Sequence, residues 1–119
     1  MELLYEAESK SIPVATVIDE LPLPPAEYAS RLALGAMEHA TRSDEFIAKF
    51  TRSDWPMDRM PMIDRIVLRM AVYELLEEPE VDRGIILNEA VELAKRFSTD
   101  DSHRYVNGLL TSVANDIGR

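Results

Sequence analysis

MIDRIVLRMAVYELLEE, residues 62–78, is the stretch on which the fold turns. Apolar residues occupy nearly every face it would show as a helix, and Asp64, Arg65, Arg69 and Glu74 are the only charges before its acidic end. Such a helix is central and mostly buried. Arginines are costly to bury alone, so Arg65 and Arg69 are expected to find Asp or Glu partners and to fix packing through internal ion pairs. Pro79 ends the segment.

The neighbouring segments carry the same helical period. Downstream, Ile86, Ala90, Leu93, Ala94 and Phe97 form a stripe opposite Asn88, Glu92, Lys95 and Arg96, with Glu92 and Arg96 a favourable i, i+4 pair. Ser98, Thr99, Asp100 and Asp101 are N-cap candidates for a last helix, in which Val106, Leu109, Leu110, Val113 and Ile117 repeat the spacing until Gly118. Upstream, Ala29, Leu32, Ala33, Ala36, Met37 and Ala40 predict a helix from 26 to about 41, closely packed because its stripe is small. Ser43 is the expected cap of a short helix carrying Phe46, Ile47 and Phe50, and Trp55-Pro56 through Pro61 interrupts the pattern. Four of the seven prolines (Pro13, Pro22, Pro24, Pro25) leave room only for a short helix over 14–20. The expectation is an all-α protein of about six or seven helices in two packed bundles, one domain over 1–119 with halves 1–54 and 55–119.

Composition narrows the function. With no Cys, the chain has no disulfide framework, thiolate metal site or cysteine nucleophile. Its acidic start, MELLYEAESK, and the lack of any run near the ~18 apolar residues of a membrane span point to a cytoplasmic protein. A net charge of −9 opposes bulk attraction to nucleic acid. The acids are clustered, however, at Glu2, Glu6 and Glu8, at Asp19 and Glu20, and at Glu77, Glu78, Glu80 and Asp82, which leaves room for a local basic or neutral face.

Catalytic chemistry has little support. His39 and His103 lie on different helices without metal-ligand spacing. Ser102 and His103 are neighbours, so on a helix they point about 100° apart and do not form a nucleophile with its base. The adjacent acids Asp100 with Asp101 and Glu77 with Glu78 read as solvated helix ends, and Gly35, Gly84, Gly108 and Gly118 stand alone rather than in a phosphate loop. No enzyme, metal or cofactor is expected. Gly108, at about 1 kcal/mol relative to Ala in a helix interior, is expected to allow close approach of a neighbouring helix. In the segment Asp101-Ser102-His103-Arg104-Tyr105, a cation and an aromatic stand at a helix start, where free N–H groups attract phosphate and a ring can stack on an unpaired base. Tyr105 half-buried in the core with Arg104 solvated is the equal alternative.

Three blocks in the second half resemble the NusB family. Trp55-Pro-Met-Asp-Arg59-Met60 followed by DRIVLRMAVYEL (64–75) resembles its Trp, Arg, LRxAxYEL block; ILNEAVELAKRF (86–97) its INEAVELAKxF block; and DSHRYVNGLL (101–110) its DSHKFVNGVL block. The likeness covers roughly residues 43 to 119, with Leu3-Leu4-Tyr5 similar to the close of the family's first helix. The resemblance implies a role in transcription antitermination on ribosomal RNA operons. In that family NusB pairs with NusE, a small-subunit ribosomal protein, and binds boxA RNA, joining NusA, NusG and RNA polymerase. Carried over by position, Asp101, Arg104 and Tyr105 border RNA, Tyr5 lies near RNA and NusE, and Asp64 matches an acidic position at the NusE and RNA junction. The family's Arg-rich segment before helix one has no counterpart from MetGluLeuLeuTyr onward. Either it lies upstream, or RNA affinity alone is weak and NusE supplies most of the surface. The alternatives are a protein-only module that binds NusE or itself and the NusB-like domain of ribosomal RNA cytosine methyltransferases; a homodimer is left open.

Overall fold

The computed structural model describes residues 1–23, 26–51 and 57–119. Pro24, Pro25, Trp55 and Pro56, read above as turn and motif residues, lie outside them. All regular structure among the described residues is helical: α1 (Glu2–Lys10), α2 (Val14–Asp19), α3 (Glu27–Glu38), α4 (Ala40–Phe50), a 3-10 turn (Met57–Arg59), α5 (Met62–Glu77), α6 (Arg83–Phe97) and α7 (Ser102–Asp116). No helix among them is long and apolar enough to cross a membrane.

The all-round hydrophobicity of α5 has a direct structural use, because the helix lies between two groups of partners. Val67, Leu68, Ala71, Val72 and Leu75 pack with Ile47 of α4, Ile86, Ala90 and Ala94 of α6, and Val106, Leu109, Leu110 and Val113 of α7. Ile66, Met70 and Tyr73, on the other side, pack with Leu4 and Ala7 of α1, Val14 and Val17 of α2, and Ala33 and Ala36 of α3. Both arginines find the acids they require. Arg69 grips Asp44 of α4 through Nε and Nη2 at 2.7 and 2.8 Å, and that hydrogen bond raises its pKa further. Arg65 pairs with Glu8 of α1. Each guanidinium therefore ties α5 to a different helix.

Several local expectations change. The helix predicted over 26–41 breaks at His39, where φ −98° and ψ 13° turn the chain and α4 begins at once. Ser43 is thus inside α4 and buried, its Oγ without a hydrogen-bond partner among the described residues, rather than a cap. α4 packs through Ile47 with the cluster of α5, α6 and α7, whereas α1, α2 and α3 pack in the other. Gly108 lines no close approach, since a Cβ there would meet open space. The tight glycine is Gly35, where a Cβ would overlap the Tyr73 ring. Phe97, the last residue of the α6 stripe, is 45% exposed. Arg96 stacks over its ring at 5.3 Å, and the partner of Glu92 is Lys95 at 3.7 Å. At the other end of α6, Asp82 caps the helix by accepting from Gly84 N–H at 2.9 Å.

The end of α7 is closed by Gly118 at φ +81°, after which the Arg119 N–H returns to Ala114 O at 2.8 Å. The Arg119 side chain then donates to carbonyls at the end of α5, Leu75 O at 3.0 Å and Glu74 O at 3.3 Å, the latter also accepting from Glu78 N–H at 2.9 Å, and on to Val81 O in the loop before α6. A cation at a helix C-terminus is favoured by the exposed carbonyls and the helix dipole.

Candidate nucleic-acid interface

Asp64 organises the start of α7. It stands in the first turn of α5, four residues before the buried Leu68, and is 0% exposed. Ser98 Oγ donates to one carboxylate oxygen at 2.5 Å and Ser102 Oγ to the other at 2.8 Å. Each hydroxyl has one proton and has used it, so in the 2.6 Å contact between Thr99 Oγ1 and Ser102 Oγ the threonine is the donor. For the same reason the 3.0 Å approach of the Ser98 and Ser102 hydroxyls has no proton of its own. The network pins the loop between α6 and α7 to the head of α5.

That anchoring sets the exposure of the DSHRY segment. Asp101 takes the N-cap position of α7 but its side chain makes no cap hydrogen bond, so the first-turn N–H groups are not closed by a side chain. Arg104 is exposed, and no acid among the described residues pairs with it. Tyr105 points the other way. It is 9% exposed and belongs to the core cluster with Val106 and Leu109, so the stacking face expected of it is largely occupied by protein. The turn of the helix explains the contrast, because residues 104 and 105 are about 100° apart and only one can face outward.

Tyr5 stands on α1 with 44% of its surface exposed. Its helix is joined to α5 beside Asp64 by the pair of Glu8 with Arg65. The structure therefore brings Asp64, Asp101, Arg104 and Tyr105 together at one junction, and Tyr5 is carried on a helix docked to the same α5. Within the junction only Asp101 and Arg104 are surface groups. Asp64 acts by positioning, since a fully buried carboxylate offers nothing to a partner directly. The sequence reading missed Ser98, Thr99 and Ser102 as a network, taking Ser98 and Thr99 as cap candidates and Ser102 as the neighbour of His103. The available signal was Asp64 itself: it shares a stripe with Leu68, Ala71 and Leu75, all buried, so its carboxylate needed hydroxyl or N–H partners.

Comparison with known proteins agrees with this architecture. The NusB family model matches residues 2–115. The chain is 42% identical to the transcription antitermination protein NusB of Thermobifida fusca over 117 residues, covering 95% of this chain and 82% of that protein. It is 50% identical over 95 residues to the protein of the same name from Symbiobacterium thermophilum, covering 80% of this chain and 61% of the relative. Among solved structures, T. maritima NusB superposes with a TM-score of 0.86 at 30% identity, over 97% of this chain and 84% of that one.

Proposed function

The chain belongs to the NusB family and its role is transcription antitermination; from that premise we propose that it works as an adaptor holding boxA RNA jointly with NusE. The family is one of transcription factors and not of enzymes. One observation carries the RNA reading: Arg104 is exposed and, among the described residues, without an acidic partner at a start of α7 that has no side-chain cap, on a helix end fixed by the buried Asp64 network. Arg104 and the first-turn N–H groups suit a phosphate, and exposed Tyr5 suits an unstacked base or a NusE side chain. Asp101 borders the same surface, Tyr105 supports it from beneath, and Asp64 sets its shape. NusA, NusG and RNA polymerase complete the proposed assembly.

The burial of Tyr105 and the charge of −9 favour a second reading, a protein-only module that binds NusE with weak or lost RNA contact. Anisotropy of labelled boxA RNA across a salt series, with and without NusE, separates the two. The adaptor reading expects binding that strengthens when NusE is added. It also expects Arg104→Ala to weaken binding with unchanged stability and to reduce the slope of log K against log salt by about 0.7, the value of one phosphate contact on a single strand. Absence of binding at low salt in both conditions, with NusE still bound, selects the protein-only module.

A further inference from the structure

Asp64 and Arg65 are neighbours at the head of α5, and successive side chains on a helix point about 100° apart. The two therefore reach different elements. Asp64 holds the loop before α7 through the Ser98 and Ser102 hydroxyls, and so fixes the helix start that carries Arg104. Arg65 reaches Glu8 in the last turn of α1, the helix that carries Tyr5 just under one turn earlier. Tyr5 and Arg104, the exposed ring and cation of the RNA surface proposed above, are thus tied to consecutive residues of one helix.

The tie to α1 has no substitute among the described residues. Leu4 and Ala7 seat α1 against Ile66, Met70 and Tyr73, and apolar contact is non-directional, so it opposes departure of the helix more than rotation or sliding. A hydrogen bond between charged groups fixes direction as well. The pair of Glu8 with Arg65 is the one side-chain hydrogen bond or ion pair that α1 makes with another helix among the described residues, since Lys10 turns back to Glu6 within α1. Its side chains are largely withdrawn from water, 21% exposed for Arg65 and 28% for Glu8, so salt screens the pair less than it would a surface pair. The charge of Glu8 also bears on Arg69, but that guanidinium is already held by both oxygens of Asp44.

We propose that Arg65 is a positioning residue for RNA binding: through Glu8 it sets the orientation of α1, and with it Tyr5, relative to the start of α7, without touching the RNA itself. This rests on the RNA reading of the same surface.

The test uses the intact chain, saturating NusE and labelled boxA RNA over a salt series, with NusE affinity measured separately in the absence of RNA. Glu8→Ala and Arg65→Ala, each shown folded by circular dichroism, are expected to weaken boxA binding about three- to tenfold and to leave the slope of log K against log salt unchanged. Glu8→Gln, which loses the same charge but keeps an acceptor for Arg65, retains most of the affinity. The sign is informative, because removing an acid from a chain of net −9 by itself favours a phosphate backbone. In a Tyr5→Ala background, Glu8→Ala has no further effect. Tighter binding by Glu8→Ala, or a slope reduced by about 0.7 in Arg65→Ala, overturns the proposal by making Arg65 a phosphate ligand. Unchanged boxA affinity in Glu8→Ala, an equal loss in Glu8→Gln, additive losses with Tyr5→Ala, or a loss confined to NusE affinity also overturns it. Absence of parent binding at low salt sinks the RNA reading and the proposal together, whereas failure of the variants alone leaves that reading standing.

Discussion

Replacing Asp64 by alanine would remove the acceptor of both the Ser98 and Ser102 hydroxyls inside a region closed to solvent. At about 1–3 kcal/mol for each buried polar group left unsatisfied, the expected loss is about 2–6 kcal/mol in urea unfolding. A loss below about 1 kcal/mol would mean that the loop rearranges at little cost. Tyr105→Ala is expected to be costly for a different reason, since it empties part of the core at about 3–5 kcal/mol. Arg104 is therefore the cleaner probe of RNA contact. Glu74 shows the opposite sign. Burial is the first cause of its raised pKa, so the folded protein holds that proton more tightly than the unfolded chain does. Its ionisation then opposes folding above the ordinary carboxyl range, and the penalty disappears below the unfolded value of 4.5. Glu74→Gln is expected to melt at a higher temperature than the parent at pH 7, with the difference closing as pH falls through the raised pKa toward 4.5. A constant difference across that range would trace the effect to packing instead.

Among the helices, two glycines of one residue type have opposite consequences. Gly35 on α3 lies against the Tyr73 ring of α5, and His39 faces the same ring at 5.3 Å while its Nδ1–H donates to Gly35 O at 2.9 Å. Gly35→Ala forces that contact apart and is expected to cost about 1–3 kcal/mol. Gly108 on α7 is exposed with open space at its Cβ position, so Gly108→Ala is expected to stabilise by up to about 1 kcal/mol. Chemical denaturation of the two variants against the parent checks both signs. Helical period alone could not tell these positions apart, because it records which face is apolar and not which neighbour occupies that face. The break at His39 was hidden similarly: Ala29 to Ala40 continue one stripe in sequence, while packing of Gly35 on Tyr73 and of Ile47 in the other cluster sends α3 and α4 in different directions.

Across the whole molecule, α5 contributes to both apolar clusters and carries an arginine toward each side. Unfolding is therefore expected to be a single transition. Leu4→Ala in one cluster and Leu110→Ala in the other should each lower the same midpoint, with losses of about 2–5 kcal/mol. Circular dichroism and Trp fluorescence that separate into two transitions would show instead that the clusters melt independently. Charge acts on this scale too. A net −9 opposes bulk attraction to nucleic acid, so a local contact has to come from exposed cations such as Arg104, which has no acid paired with it among the described residues.

Residue types and spacing determined the helical class, the central place of α5, the acidic partners that Arg65 and Arg69 needed and the family blocks of the second half. Those properties follow from local periodicity and from the cost of burying charge, both of which can be read along a line. Tertiary structure alone decided that Asp64 is a buried anchor and that Tyr105 turns inward while Arg104 turns out. Each of those depends on which distant side chains meet, and solvent exposure is set by that meeting and not by the order of residues.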